Sequence, residues 1–333
     1  MPTEVSLMEM LDARERRVQR QRALLEQYHR PLICFTMNIC GPVKDSPLIR
    51  RDGNLDYTCA MFDENYQVIG TGSCFGNTLR CFAVSSDHQG EGLLNQIITH
   101  LIEVQCARGN LRLFLYTKAK SAKFFGDLGF YEIARVEDTL VFMENRRDGF
   151  GSYLRELEKT KTGGRSAALV MNANPFTLGH QYLAETAAAA CDTLHLFVVS
   201  EDASLVPFAV RKKLVAEGVK HLPNVILHDS GPYIISNATF PSYFLKDEAA
   251  VIDGHARLDL AVFTRIAKAL NITARYVGEE PTSQVTGLYN QIMCEQLPKA
   301  GIDCIVVPRK EANGRAISAS TVRQCLQTGD WDT

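Results

Sequence analysis

In the second half of the chain, short apolar runs alternate with segments whose apolar residues recur every three or four positions. Each short run predicts a strand that is buried on both faces, and each periodic segment predicts a helix. The predicted strands are 166–174, 193–200, 224–228, 274–277 and 304–307, and the predicted helices are 178–190, 208–220, 251–270 and 286–297. Repeated strand–helix units of this kind form a parallel sheet with helices on both faces.

The first half follows a different pattern. Leu79–Val84 and Leu111–Tyr116 predict strands, and the segment between them predicts a helix that ends near Glu103. Residues 121–132 predict a short helix, a glycine turn and a further strand. The first 30 residues have helical apolar spacing among many Arg and Glu residues, which predicts an amphipathic helix.

Two polar segments, 146–151 and 159–165, bracket the predicted junction between the halves. A chain of 333 residues is long enough for two domains that each bury a core of their own. We therefore predict an α/β protein in which residues 1–148 form one domain and residues 149–333 form a Rossmann-like, parallel-sheet domain.

Candidate chemistry first appears where the strand that begins at Ser166 ends. Asn174 precedes a proline, so the chain turns there, and Thr177 can cap the following helix. Gly179 allows close approach of a backbone or a ligand. His180 projects from the first helical turn, where unpaired N–H groups and the helix dipole favour a phosphate. This arrangement suits chemistry at the α-phosphate of a nucleotide.

A second candidate segment, Ile317–Arg323, lies near the end of the chain. Ser318 or Ser320 can cap a helix whose free N–H groups hold an anion. Arg323 would add a guanidinium fork suited to a leaving pyrophosphate. Ligands gather at the carboxyl ends of parallel strands, so we expect one edge of the sheet to collect the residues of both segments. The residues expected there are Thr177, His180, Ser200, Gly278 and Arg323.

Together, Thr177-x-Gly179-His180 and Ile317-Ser-x-Ser-x-x-Arg323 resemble the T/H-x-G-H and I-S-x-T/S-x-x-R signatures of the nucleotidyltransferase superfamily. The first signature lies between a predicted strand and a predicted helix, which is the context that it requires. The resemblance implies a C-terminal domain that binds ATP and acts at its α-phosphate.

Residues 30 to 145 resemble a GNAT-type acetyltransferase fold. Gln89-Gly90-Glu91-Gly92 matches most of the loop that cradles the coenzyme A pyrophosphate in that family, although Leu94 stands where a small residue is usual. The family often has a tyrosine as general acid where this chain has Phe125, and a phenyl ring cannot donate a proton. We therefore predict that this domain docks a partner or a pantetheine arm and does not transfer acetyl groups.

The combination of the two domains, with the strings at 174–180 and 238–246, resembles the citrate lyase ligases. That resemblance implies ATP-dependent activation of acetate and acetylation of the thiol prosthetic group on the citrate lyase acyl carrier subunit, with release of AMP and diphosphate. ATP would arrive with Mg²⁺ bridging its phosphates and with few protein ligands, which the sequence does not identify.

On this interpretation each candidate residue contacts one part of ATP. His180 and Thr177 would contact the α- and β-phosphates, beside the backbone at Asn174 and Gly179. The remaining assignments are Gly278 and Glu280 to the sugar or base, and Ser318, Ser320 and Arg323 to the leaving pyrophosphate.

Two other functions remain open from the sequence. One is an adenylyltransferase that acts on a phosphorylated cofactor precursor, and the other is an acetyl-CoA-dependent acetyltransferase. The aromatic segment 230–246 either packs in the core or lines a site for a small apolar substrate. Lys246 at its end is either an anion contact or a surface residue.

Composition excludes several other classes of protein. The net charge of −2 and the absence of a long basic run argue against nucleic-acid binding. No apolar stretch is long enough to span a bilayer, and no signal-peptide pattern opens the sequence. The ten cysteines contain no C-x-x-C pair, so we expect reduced thiols in a cytoplasmic protein without a zinc site.

Overall fold

The computed structural model describes residues 32–35, 55–235, 240–241, 248–280, 284–312 and 314–329. The chain divides into two compact units, Met1–Leu115 and Tyr116–Thr333. The amphipathic helix predicted in the first 30 residues and Lys246 lie outside the described residues.

The first unit is built on an antiparallel meander. Its strands, in spatial order, are β1 (Leu32–Phe35), β2 (Tyr57–Phe62), β3 (Val68–Phe75) and β4 (Thr78–Val84), followed by helix α1 (Leu93–Ala107) and the start of β5 (Phe114–Lys118). β4 and β5 run parallel and pair at Thr78–Phe114 and Leu79–Leu115.

Helix α1 packs directly on β3, which explains two glycines in that strand. A Cβ atom added to Gly70 would lie 2.8 Å from Ile97 Cδ1, and one added to Gly72 would lie 2.9 Å from Leu101 Cδ1. The strand predicted from Leu111 begins later, at Phe114, and Leu111 lies 71% exposed in the connection that follows α1.

The second unit begins with the remainder of β5, and its next elements match the predicted helix, turn and strand. These elements are α2 (Ala122–Asp127), β6 (Tyr131–Val136), β7 (Leu140–Glu144) and α3 (Gly149–Glu158). β6 and β7 form an antiparallel pair. The segment predicted as a junction loop, 146–151, already enters α3 at Gly149.

Hydrogen bonds cross the predicted domain boundary at residue 148. The buried carboxylate of Glu144 accepts from the Phe150 N–H at 2.6 Å and from the Tyr233 hydroxyl at 3.1 and 3.2 Å. Arg265 donates to the Ile133 carbonyl at 2.6 Å, and its guanidinium lies 4.6 Å from the Phe150 ring centre. The strands before the boundary are therefore tied to the chain after it. The boundary itself remains a prediction.

The second unit also contains the predicted parallel sheet. Its strands are β8 (Ser166–Met171), β9 (Thr193–Val198), β10 (Val225–Asp229), β11 (Ile272–Gly278) and β12 (Asp303–Val307). Their spatial order is β10-β9-β8-β11-β12, with every described pairing parallel. From β8 the chain first adds β9 and β10 on one side of that strand, and it later adds β11 and β12 on its other side. The topological switch point of the sheet therefore lies at the carboxyl ends of β8 and β11.

The helices of this sheet also occupy the predicted segments. They are α4 (Leu178–Ala189), α5 (Phe208–Val219), α6 (Glu248–Leu270) and α7 (Gln284–Gln296), followed by a hairpin, β13 (Glu311–Ala312) and β14 (Arg315–Ala316), and by α8 (Ala319–Thr328). The buried alanines Ala184, Ala187 and Ala188 pack α4 against the apolar face of the sheet. Small side chains let the helix lie close to the strands, which holds its N-terminus beside the end of β8.

The described part of the aromatic segment after β10 packs in the core. Tyr233 is fully buried, and Ile234, Ile235 and Phe240 are each at most 7% exposed. Core packing is thus the correct reading for these residues, whereas 236–239 and 242–247 lie outside the described residues.

Candidate active site

The turn after β8 is held by polar contacts to the neighbouring strand and loop. The Asn174 side chain accepts from the Val206 N–H at 3.0 Å. Arg211 on α5 is fully buried and donates to the carbonyls of Asn172 and Val199, each at 2.8 Å. These bonds pair backbone carbonyls that follow β8 and β9, and they join the ends of the two strands beside the switch point.

Thr177 and His180 form a reciprocal cap at the start of α4. The Thr177 side chain accepts from the backbone of His180, while the Thr177 N–H donates to His180 Nδ1 at 3.1 Å. The Thr177 hydroxyl also lies 2.9 Å from Nδ1. Because the backbone N–H can only donate, Nδ1 must be the unprotonated nitrogen and the neutral ring carries its proton on Nε2.

The His180 ring is held in its neutral form. Burial, together with the nearby positive charge of Arg309, lowers the pKa of His180 from 6.5 to about 4. The ring also stacks on Phe176, with centroids 5.7 Å apart. His180 is therefore an uncharged hydrogen-bond donor throughout the neutral pH range.

The two sequence motifs meet at Gly179. An added Cβ atom there would lie 3.5 Å from the Ile317 carbonyl oxygen, so the start of α4 touches the backbone of the second motif. Ile317 in turn donates its N–H to the Lys310 carbonyl at 3.0 Å. The β13–β14 hairpin thus returns the chain to the first motif.

Arg323 is the second connection between the motifs. It donates to the Asn174 carbonyl at 2.6 Å and to the Ser320 hydroxyl at 2.9 Å. Ser318, and not Ser320, caps α8, because its hydroxyl accepts from the Ser320 N–H at 3.1 Å. Arg323 therefore joins the two motifs by a contact that the sequence did not predict.

Two further cations lie at this edge, and sequence reasoning missed both. Arg309 forms an ion pair with Glu280 and donates to the Glu279 carbonyl at 3.0 Å. The exposed Lys310 places its Nζ 5.7 Å from the centre of the Tyr182 ring. Both residues follow β12 directly, so their position at the carboxyl end of a parallel strand was the signal that could have identified them.

The other predicted residues lie along the same edge. Gly278 ends β11, where an added Cβ atom would lie 3.7 Å from Leu183 on α4, and its carbonyl accepts from Asn290 at 2.9 Å. Ser200 follows β9, and its N–H donates to the Ser230 hydroxyl at 2.9 Å. Gly278 therefore adjoins α4, whereas Ser200 belongs to the hydrogen-bonded ends of β9 and β10.

The GNAT resemblance was drawn from a glycine loop before α1 and from the position of Phe125. In the first unit, Gly90 and Gly92 have positive φ angles of 89° and 75°, and Gly92 is the residue before α1. His88 Nδ1 lies 3.1 Å from the Glu91 carboxylate. In the second unit, Phe125 is 4% exposed and its ring contacts Phe130 edge to face. Phe125 is thus a core residue of its unit.

Neither a metal cage nor a membrane helix is found in the described part of the chain. No three His, Cys, Asp or Glu side chains there converge so as to hold a metal ion. No helix there combines the length and the apolar character needed to cross a bilayer.

Comparison with known protein families gives two matches. The profile described as the citrate lyase ligase C-terminal domain matches residues 166–333, which is the parallel-sheet region with both motifs. The profile described as apo-citrate lyase phosphoribosyl-dephospho-CoA transferase matches residues 5–68, most of which lie outside the described residues.

Two curated relatives are similar over most of the chain. A citrate (pro-3S)-lyase ligase of Klebsiella pneumoniae is 44% identical over 271 residues, which are 80% of this chain and 79% of that protein. A citrate (pro-3S)-lyase ligase of Haemophilus influenzae is 38% identical over 290 residues, which are 85% of this chain and 87% of that protein.

Solved structures are similar to parts of the chain. Pantothenate synthetase of Thermus thermophilus is 18% identical and covers 51% of this chain and 65% of its own, with a TM-score of 0.38. An acyl-CoA N-acyltransferase of Pseudomonas aeruginosa is 18% identical and covers 28% of this chain and 74% of its own, with a TM-score of 0.25.

Proposed function

This chain belongs to the citrate (pro-3S)-lyase ligase family, and we propose that, as a ligase of that family, it activates acetate with ATP and acetylates the citrate lyase acyl carrier subunit. In the first step an acetate oxygen attacks the α-phosphorus of ATP. Acetyl-adenylate forms and diphosphate leaves. In the second step the thiol of the carrier's prosthetic group attacks the acetyl carbon, loses its proton and expels AMP.

His180 is the proposed donor to the phosphate that is attacked. Its Nδ1 is occupied by the Thr177 N–H, so Nε2–H is the free donor of the ring. Because α4 begins at this point, backbone N–H groups and the helix dipole add positive potential at the same place. A preorganised neutral donor stabilises the charge that develops on the transferring group and needs no proton transfer of its own.

The cations at the edge are proposed to hold the departing diphosphate. Arg323 is fixed between Asn174 and Ser320 and can present its remaining N–H groups to phosphate oxygens. Arg309 is largely neutralised by Glu280, whereas Lys310 is exposed beside Tyr182. The proposed diphosphate contacts therefore combine a guanidinium held by protein acceptors with an exposed ammonium.

Gly278 and Glu280 are proposed to frame the nucleoside. Gly278 ends the strand next to β8 at the switch point, and the absence of a side chain there leaves room over Leu183. Glu280 is held by Arg309, so the nucleoside would meet an ion pair and not an isolated carboxylate.

Mg²⁺ is proposed only as the ion that accompanies ATP. Such an ion would be held mainly by phosphate oxygens and water. When bound, it would neutralise part of the phosphate charge, and no protein ligand is assigned to it.

The convergence of both phosphate motifs on one edge of the parallel sheet is the observation that supports this function best. The deciding experiment measures exchange of labelled diphosphate into ATP by the full chain, with acetate or with a phosphorylated pantetheine as the acceptor. We expect exchange that depends on acetate and is lost in His180→Ala. Exchange with the phosphorylated acceptor alone would support the adenylyltransferase alternative. Acetyl-CoA turnover without ATP would support the acetyltransferase alternative.

A further inference from the structure

Two cysteine thiols are in contact on neighbouring elements of the second unit. Cys294 lies in the last turn of α7, and Cys304 is the second residue of β12. Their Sγ atoms are 3.1 Å apart, and both residues are free thiols that are partly exposed to solvent. The pair is therefore accessible to small reagents that react with thiols.

The surrounding backbone allows the two sulfur atoms to come closer. A disulfide bond has an S–S distance of about 2.05 Å, so the sulfurs need to approach by about 1 Å. Cys294 lies near the end of its helix, and a single 3₁₀ turn at Leu297–Ala300 leads to Gly301, which has a φ angle of 75°. β12 lies at the edge of the described parallel sheet. A movement of this size therefore leaves the buried centre of the sheet unchanged.

The two thiols differ in their readiness to react. Burial and the neighbouring Cys294 raise the pKa of Cys304 to about 12, so Cys304 is protonated at neutral pH. Only a thiolate is strongly nucleophilic, and the first attack on an oxidant therefore falls to Cys294. Once Cys294 has reacted, its effect on Cys304 is lost. The positive charge of Arg275, which is opposite Cys304 on β11, continues to favour the Cys304 thiolate.

We propose that Cys294 and Cys304 form a reversible disulfide bond when the chain meets a low-molecular-weight disulfide such as oxidised glutathione. The Cys294 thiolate attacks one sulfur of this reagent, forms a mixed disulfide and expels one glutathione thiolate. Cys304 then loses its proton, attacks the Cys294 sulfur and expels the second glutathione thiolate. The two protein thiols lose two electrons and two protons in total, and the reagent is reduced to two thiols.

The bond would join two elements that both reach the candidate active site. Asn290, one turn before Cys294 in α7, donates to the Gly278 carbonyl, and Arg309 follows β12. Cys294 and Cys304 lie toward the other ends of the helix and the strand. The disulfide would thus clamp the edge strand to α7 and would not touch the nucleotide. The pair can therefore be tested without reference to the ligase reaction.

The first test detects the bond in the full wild-type chain. The reduced protein is equilibrated with reduced and oxidised glutathione at set ratios, free thiols are blocked with iodoacetamide, and a tryptic digest is read by mass spectrometry. Trypsin cuts between the two cysteines at Lys299, so a linked peptide pair identifies the bond. We expect this pair, with two hydrogen atoms lost, and we expect it to disappear on reduction. Exposed Cys106 is the internal control and should carry only glutathione.

Two results of this test would overturn the inference. One is glutathione on Cys294 at equilibrium without a linked pair, which would show that Cys304 cannot reach the mixed disulfide. The other is a pair of thiols that both remain unmodified while Cys106 reacts, which would show that the reagent does not reach them.

Serine variants test the order of the two steps. Cys304→Ser should hold a stable mixed disulfide on Cys294, because no second thiol resolves it. Cys294→Ser should react with oxidised glutathione at least tenfold more slowly than Cys304→Ser, because burial still keeps Cys304 protonated. Equal rates in the two variants would contradict the assignment of Cys294 as the attacking thiol.

Thermal unfolding shows whether the bond fits the native fold. The cross-link closes a loop of about ten residues, which restricts the unfolded chain enough to raise the unfolding temperature by about 5–10 °C. The Cys294→Ser, Cys304→Ser double variant is the matched control and should unfold at the same temperature with and without the oxidant. If the oxidised wild-type chain gains no stability over the reduced chain, the bond does not fit this geometry and the inference is wrong.

Discussion

Substitutions of His180 can separate its capping role from its proposed role toward ATP, because the two use different ring nitrogens. Nδ1 accepts from the Thr177 N–H at 3.1 Å, and Nε2 is left to face a ligand. An asparagine reaches the position of Nδ1 but not that of Nε2, whereas a glutamine amide can reach the position of Nε2. His180→Asn should therefore keep the cap and lose the donor, and His180→Gln should keep a donor.

The expected magnitudes follow from these contacts. Removal of one preorganised donor to developing charge lowers the rate by about 10²–10³-fold, or about 2.7–4 kcal/mol. Loss of a helix cap costs about 1 kcal/mol of stability. His180→Asn should thus unfold in urea like the wild-type chain but form adenylate about 10²–10³-fold more slowly. His180→Gln should recover at least tenfold, and His180→Ala should lose both activity and about 1 kcal/mol.

Single-turnover formation of acetyl-adenylate, measured by quenched flow, is the assay that reports this step directly. The wild-type rate should also show no titration of His180 between pH 6 and 8, because its pKa is about 4. If Asn and Gln variants are equally slow and equally destabilised, His180 acts only through the cap. If the Asn variant has the wild-type rate, Nε2 does not contact the reacting phosphate.

Three further predictions concern single contacts. Arg323→Lys should lower diphosphate exchange about 10²-fold although charge is kept, since an ammonium cannot span the two acceptors that the guanidinium joins; full activity of the lysine variant would refute this geometry. Gly179→Ala should fold normally, because the added Cβ meets only ordinary contacts at 3.5 Å or more, yet bind ATP at least tenfold more weakly by calorimetry; unchanged affinity would show that no ligand approaches this backbone. Burial lowers the pKa values of His195 and His228 from 6.5 to about 4. Their contribution to stability is therefore complete above pH 6.5 and is lost as the pH falls toward 4, by up to about 1.4 kcal/mol per pH unit for each histidine. Urea unfolding between pH 5 and 7.5 should show a shallower pH slope in a His195→Leu, His228→Leu double variant, and an unchanged slope would contradict the assignment.

Much of the second unit was determined by local sequence. Buried parallel strands and amphipathic helices leave recognisable apolar patterns, so the predicted and observed bounds of α4 agree within one residue, whereas β8 ends at Met171, three residues before its predicted end at Asn174. The cap at Thr177 was also predictable, because its partner His180 lies within the same helical turn. The pattern was misleading at Leu111, where an apolar residue outside any strand is exposed to solvent.

Only the tertiary structure determined which distant groups meet. Arg323 contacts a carbonyl that lies 149 residues earlier in the chain, and Arg309 pairs with Glu280 across two strand ends. The buried Arg275 lies 3.9 Å from Asp259, whose carboxylate also accepts hydrogen bonds from residues of two other segments. Periodicity records burial and neighbouring hydrogen bonds, whereas these contacts depend on strand order and on the paths of the loops. The sequence by itself therefore determined the sheet, the helices and the two motifs. The structure determined how charge and hydrogen bonds are shared among them.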